Sequence, residues 1–351
     1  MNTSETDTLT PVGNLLRENL GTLIPGLLND PYLETFLAVD KKFAETVHAR
    51  IYECLHQAYQ LNNPVARHEI QYVLFKIYNC CFSSPLSACA GNQYSPFIIS
   101  IRNIIETEWL AAETRRIREY AILPAEDNFI SRLTALCRTH RAATHPLFDY
   151  LSTQAGDRQF DYFFRSDTAL NVLFFDLIAM MLPGSYPFTR SEITKNLWDE
   201  AGQGNEHHNH VDLYHSLLKA RHLCPGEDQF ASLYNWQGLT GYNVFLLGGV
   251  NRQHYFKLVG AMAMTELLDP PQYSKLVAGA RRIGISDRHI YYYSEHIEID
   301  VDHADGWLNK VIQPLIDFEP ASRNEIYIGA LLRLETCADY YDDLLNTLKK
   351  L

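Results

Sequence analysis

A chain of 351 residues that is 46% apolar and carries 38 tyrosines and phenylalanines can bury a large core, as one big domain or two ordinary ones. A formal charge of −12 without clustered Lys and Arg excludes a nucleic-acid-binding surface and disfavours anionic membranes. The start MNTSETDTLTPVG is polar and acidic, no stretch reaches the roughly 18 apolar residues of a membrane span, and seven cysteines without a CxxC pair read as reduced thiols, with Cys80 and Cys81 as buried small hydrophobes; a cytoplasmic protein is expected.

Helical period dominates and strand signals are weak throughout. Over residues 12–60, Leu15, Leu20, Leu23, Leu27, Phe36, Val39, Phe43, Val47 and Ile51 recur at spacings of three and four. The pattern continues over 65–82 and 95–121, where Ser95-Pro96 opens a helix that Pro124 stops. Residues 1–125 thus read as a helical N-terminal region without a cluster of ligand-type residues, suited to packing or dimerisation. Residues 126–351 read as a second helical domain beginning near Asp127, with breaks at Pro183-Gly184, Pro225-Gly226, Pro270-Pro271 and near Pro320. The expected class is all-α, with no repeat or low-complexity segment.

Within the second domain, Thr168–Leu182 (TALNVLFFDLIAMML) reads as an almost wholly apolar helix with Asp176 in its middle. Burying a lone carboxylate costs several kcal/mol. Asp176 therefore either meets a cation, metal or hydrogen-bond donor, or lies on a thin polar face beside water. Residues 197–218 then collect Asp199, Glu200, Glu206, His207, His208, His210 and His215. On a uniform helix Glu200 faces His207 better than His210, but Gly202 and Gly204 can distort the first turns, so spacing alone does not select ligands. Most of these histidines read as solvated.

The segment GLTGYNVFLLGG at 238–249 lacks GxGxxG or Walker spacing and predicts no phosphate site. Glu266, near the end of HYFKLVGAMAMTELL, is either a ligand on a third helix or a charge reaching water. Finally, Tyr291–Trp307 (YYYSEHIEIDVDHADGW) sets His296, Asp300 and His303 at offsets of four and seven, on one stripe of a helix. Two imidazoles and a carboxylate on one face suit iron, manganese or zinc, and the remaining ligands must come from elsewhere.

Taken together, Glu200 with His210 ten residues on, then Glu266, then HxxxDxxH at 296–303, resembles the haem-oxygenase-like di-metal oxidases, also known as iron-containing redox enzymes. The resemblance spans roughly residues 130–350, and the separations look most like those of the N-oxygenating members. It implies a haem-oxygenase-like helical bundle in which Glu200, His210 and His296 hold one metal and Glu266, Asp300 and His303 the other. Asp176 stands on the helix where the family has a further carboxylate ligand, commonly Glu. Two ferrous ions, with manganese as a substitute, O2 and an external reductant are the implied cofactors. The charges of Asp176, Glu200, Glu266 and Asp300 would balance two ferrous ions.

The activity implied is N-oxygenation of an amine or guanidine of an amino-acid-type substrate in a specialised-metabolite pathway, with Arg252, His254 and Tyr293 as candidate substrate partners. The N-terminal helices resemble a dimerisation segment, which implies a homodimer. Oxidases of the same fold that decarboxylate fatty acids or fragment an amino-acid side chain share these ligands; a long apolar tunnel suits the first, a short polar pocket an amino acid. A non-catalytic helical interaction protein has no need of six such residues. A thiaminase-like protein needs a cysteine near the pocket, and a haem oxygenase needs a proximal histidine near the start of the domain.

Overall fold

Helical period prevails over every competing signal. In the computed structural model each described element is a helix, and no strand occurs among the described residues, 16–118, 128–226 and 228–351. Leu15, Pro124, Asp127 and the expected boundary at 125/126 lie outside them. The chain divides into two units, Met1–Arg116 and Ile117–Leu351. No helix among the described residues is long and apolar enough to cross a membrane.

The first unit contains α1 (Leu20–Leu28), α2 (Leu33–Val39), α3 (Lys41–Tyr59), α4 (Pro64–Asn79), α5 (Ala88–Asn92) and α6 (Pro96–Ile117). The stripe Phe43, Val47, Ile51, Leu55 on α3 is buried, and α3 packs on α4 through such positions. Asn63 starts α4 by accepting from the Val65 and Ala66 amides, with Pro64 at the first helical position, where its missing N–H costs nothing. Cys80 is buried and Cys81 half-buried.

The second unit contains α7 (Phe129–Thr139), α8 (Pro146–Thr153), α9 (Asp157–Asn171), α10 (Phe174–Met181), α11 (Arg190–Glu200), α12 (His210–Ala220), α13 (Trp236–Val250), α14 (Tyr255–Arg282), α15 (Tyr291–Gly306), α16 (Gln313–Phe318) and α17 (Ser322–Leu348). Its spine is α14, which packs against α8, α13, α15 and α17. Leu258, Val259, Met262 and Met264 on α14 are fully buried, worth about 1.5–3 kcal/mol each in removed apolar surface. Glycine sets the crossing with α17: a Cβ on Gly260 would lie 2.0 Å from the Ile326 carbonyl oxygen, and one on Gly329 2.0 Å from that of Lys257. The two backbones touch because neither position carries a side chain.

Two expectations are corrected. Pro270-Pro271 does not break the chain's helix: α14 runs straight through both residues, because tertiary packing on four neighbouring helices outweighs the ~3 kcal/mol or more that an interior proline costs. Thr168–Leu182 is not one helix but the end of α9 and all of α10. The last turn of α9 tightens at Leu173, whose N–H bonds Leu170 O, and the chain restarts at Phe174. The expected interruptions at Pro183-Gly184, Pro225-Gly226 and Pro320 fall between helices.

Candidate metal centre

Glu200 ends α11 and His210 begins α12, and a non-helical turn folds one back onto the other. Gly202, Gln203 and Gly204 all have positive φ, at 72°, 54° and 87°, a region in which glycine alone is comfortable. A Cβ on Gly202 would lie 2.5 Å from Asn209 N, so the returning chain lies directly against it. Asn209 then caps α12, accepting from the Asp212 N–H at 2.8 Å, which fixes His210 in the first turn. The outcome is His210 Nδ1 at 2.8 Å from Glu200 Oε2. This decides between the partners open to Glu200: His207, like Glu206 and His208, is exposed.

The helix α15 supplies ligand atoms to both halves of the site. His296 donates from Nδ1 to the Tyr292 carbonyl at 2.6 Å, leaving Nε2 facing Glu200 Oε1 at 4.0 Å. One and two turns on, Asp300 and His303 meet Glu266 from α14: His303 Nδ1 is 3.5 Å from Glu266 Oε2 and 3.7 Å from Asp300 Oδ1. The other ring nitrogen, Nε2, bonds Asp199 Oδ2 at 3.0 Å. Stitching between α11 and the π-helical turn Trp307–Ile312 that follows α15 keeps Asp199 and Glu200 in place, with Trp307 Nε1 donating to Asn196 and Lys310 pairing with Glu192.

Two buried groups result: Glu200, His210, His296 and Glu266, Asp300, His303. In each, one donor atom per residue lies within 4.8 Å of the others. Several of these atoms are orphans. His210 Nδ1, Glu266 Oε1 and Asp300 Oδ2 are buried without a hydrogen bond of proper alignment. Burial, then the charges of Glu266, Asp269 and Glu200, push the Asp300 carboxyl well above its ordinary range. Burial and the His210 charge depress His296 to about 3, whereas at His303 burial is outweighed by Asp199, Glu266 and Glu200, which lift it to about 10. Crowded carboxylates with inward unpaired oxygens are unfavourable unless a cation receives them, and the mixed oxygen and imidazole donors suit iron, manganese or zinc.

Asp176 joins neither group. It lies half-buried in the first turn of α10, where burial raises its carboxyl above the ordinary range. Phe174, two residues earlier and so about 200° around the helix, faces the site instead. The remaining sequence candidates diverge. Arg252 stacks on Tyr255 at 4.2 Å and bonds the Pro183–Gly184 carbonyls, and His254 is buried, lowered to about 4 by burial and Lys257; neither lines the site's cavity. Tyr293 acts indirectly, donating to Asp167 Oδ2 at 2.7 Å.

That cavity, of about 60 Å³, opens on Glu266, His296 and Asp300 and is otherwise lined by Asp167, Asp269, Arg333, Thr265, Asn171 and a group of aromatic rings. Asp167, Asp269 and Arg333 escaped the sequence reading. Arg333 carried the clearest signal, a single cation in the apolar run IYIGALLRL. Asp199, present in the acidic and histidine-rich run, is placed by the fold alone.

Fold and site define an all-α protein with a buried, two-part constellation of metal-binding type. The chain belongs to the family described as iron-containing redox enzymes, whose sequence profile matches residues 161–337, half of the chain, and it is accordingly an oxidoreductase. It is also similar to a nitrosourea synthase from Streptomyces achromogenes subsp. streptozoticus, with 30% identity over 141 residues, 38% of this chain and 28% of that relative.

Proposed function

We propose that this protein is a di-iron, O2-dependent oxygenase that oxidises an amine or guanidine nitrogen of a small amino-acid-type substrate. The observation carrying this reading is the cavity beside the ligands, whose lining of carboxylates, an arginine, an amide and tyrosines suits a compact polar molecule rather than an acyl chain. A relative named for making a nitrosourea, a compound with an oxidised nitrogen, supports the same chemistry.

Glu200, His210 and His296 would hold one ferrous ion and Glu266, Asp300 and His303 the other; bound there, the pair supplies the electrons that reduce O2. Three ligand carboxylates, with Asp199 on the far nitrogen of His303 as a fourth, match the charge of two such ions without Asp176. Asp167 is held toward the cavity by Tyr293 and by Asn171, which donates at 2.8 Å. Both bonds fall on Oδ2, leaving Oδ1 to receive the substrate's N–H groups. Burial raises the Asp167 carboxyl, bringing it closer to the range in which it takes a proton from the reacting nitrogen. The aromatic wall of Phe163, Phe174 and Tyr292 excludes bulk water.

The test is an anaerobic ferrous titration of metal-free protein followed by an O2 pulse, with arginine, lysine, valine and a medium-chain fatty acid in parallel. Two irons per chain, and O2 uptake accelerated by an amino acid with formation of its N-oxygenated product, is the expected result. Acceleration by the fatty acid alone would move the activity to decarboxylation. Absence of iron binding and O2 uptake would leave a helical interaction protein.

A further inference from the structure

Arg333 stands in the middle of α17, 93% buried, and no carboxylate among the described residues pairs with it. Its relative exposure is 7%. Its Nε–H donates to Thr265 Oγ1 at 2.9 Å, and its guanidinium carbon lies 5.0 Å from the centre of the Phe245 ring. These contacts fix the plane of the fork and use one of its five N–H groups. The Nη groups have no hydrogen-bond or ion-pair partner among the described residues, and Arg333 is the only Lys or Arg lining the cavity. A guanidinium so deeply buried costs several kcal/mol unless an anion meets it. An arginine serving only the fold would be expected in an ion pair; this one has Asp269 and Asp167 only at longer range in the lining they share, beyond ion-pair distance.

We infer that Arg333 is the receptor for a free carboxylate of the substrate, which restricts the site to amino acids retaining that group. The inference rests on the amino-acid reading given above. The cavity lining carries groups of both kinds. Arg333 on α17 presents the cation, while Asp167 on α9, with Oδ1 unpartnered, offers an acceptor to a cationic nitrogen. A zwitterion satisfies both signs at once. An amine without the carboxylate leaves the guanidinium unpaired, and a fatty acid leaves the aspartates unpaired, which is how a polar site rejects an analogue lacking one group. Arginine rather than lysine fits the role because its planar fork binds a carboxylate through two parallel hydrogen bonds.

The experiment is calorimetric binding to the full chain under argon, with and without ferrous iron, of L-arginine, L-lysine and L-valine against their decarboxylated partners agmatine, cadaverine and isobutylamine. At least one amino acid is expected to bind about 10–100-fold more tightly than its amine, and Arg333→Met to erase that difference. Arg333→Lys, which keeps the charge and volume and guards against a folding defect in the methionine variant, should retain only part of it. Equal binding of acid and amine by the unaltered protein, binding of none of the three amino acids, or undiminished discrimination in Arg333→Met, would overturn the assignment. The readout involves no turnover. A protein that prefers the carboxylate but consumes no O2 would sink the oxygenase reading and leave the Arg333 assignment standing.

Discussion

Glu266, Asp300 and His303 project from the interiors of two long packed helices, α14 and α15, whereas Glu200 and His210 meet only because three consecutive residues between them leave helical geometry. The first arrangement needs no backbone strain and follows from a four- and three-residue period. The second stores conformational cost in a turn and relies on Asn209 to restart the helix. The halves also differ electrically. His296 is held neutral by burial, while His303 sits among carboxylates that favour its charged form. One half is therefore set by helix register, the other by a loop.

The comparison breaks most visibly at Asp300. Asp300→Ala should abolish binding at the helical half, cutting bound iron per chain by half or more and O2 uptake by about 100-fold; unchanged iron content and O2 uptake would undo the assignment of both. Gly202→Ala attacks the looped half. Positive φ and overlap with Asn209 should cost about 1–3 kcal/mol, seen as a melting temperature lower by about 3–10 °C, with iron lost from Glu200, His210 and His296 first. Gly284→Ala, at φ 85° but with open space around it, should lower stability less and leave iron binding intact.

Acid and alkali separate the halves in metal-free protein. His296 is depressed to about 3 from an ordinary 6.5, so the unfolded chain binds a proton that the fold refuses, and stability falls as pH drops from 6.5 toward 3. His303 is raised to about 10. Its contribution is complete below 6.5 and is lost as pH rises from there to 10. Metal binding at the helical half must expel the His303 proton, and any proton that the raised Asp300 carboxyl holds, so affinity there should rise at least about tenfold per pH unit near neutrality. Calorimetry in buffers of different ionisation enthalpy counts that proton; no proton release at pH 7 would contradict it. The smallest effect is expected from Asp176→Asn: unchanged iron content, and a stability unchanged or slightly raised, within about 0.5 kcal/mol, because burial disfavours the charge that is removed, measurable by denaturant titration.

The helical half was legible in the sequence because period survives folding: HxxxDxxH on α15 forms the stripe that its spacing describes, and Glu266 proves to face the interior. The looped half was only half legible. Glycines at 202 and 204 announced a distortion, but its direction depends on φ values and on a chain reversal packed against Asn209. Asp176 stands apart from both groups for a related reason. In an unbroken helix it would lie mid-core, and the break after Asn171 moves it to a helix start while turning Phe174 inward. Asp269 was obscured by the two prolines that follow it, which read as a helix end although the helix continues. Arg333 carried the lone-charge signal that drew attention to Asp176, yet only the packing of α17 on α14 shows what it faces.

The proline pair in α14 has a mechanical meaning as well. Pro270 and Pro271 have no N–H to offer four residues back, so the carbonyls of Glu266 and Leu267 lose their usual partners. One end of this spine is clamped, with Gly260 pressed on α17; one turn beyond Glu266 the ladder has missing rungs. Farther on the helix is clamped again, a Cβ on Gly279 falling 2.2 Å from the Leu151 carbonyl oxygen of α8, so the missing rungs lie between two fixed points. Glu266 rides on the joint, where a small bend of the backbone can shift a carboxylate without melting the helix that carries it.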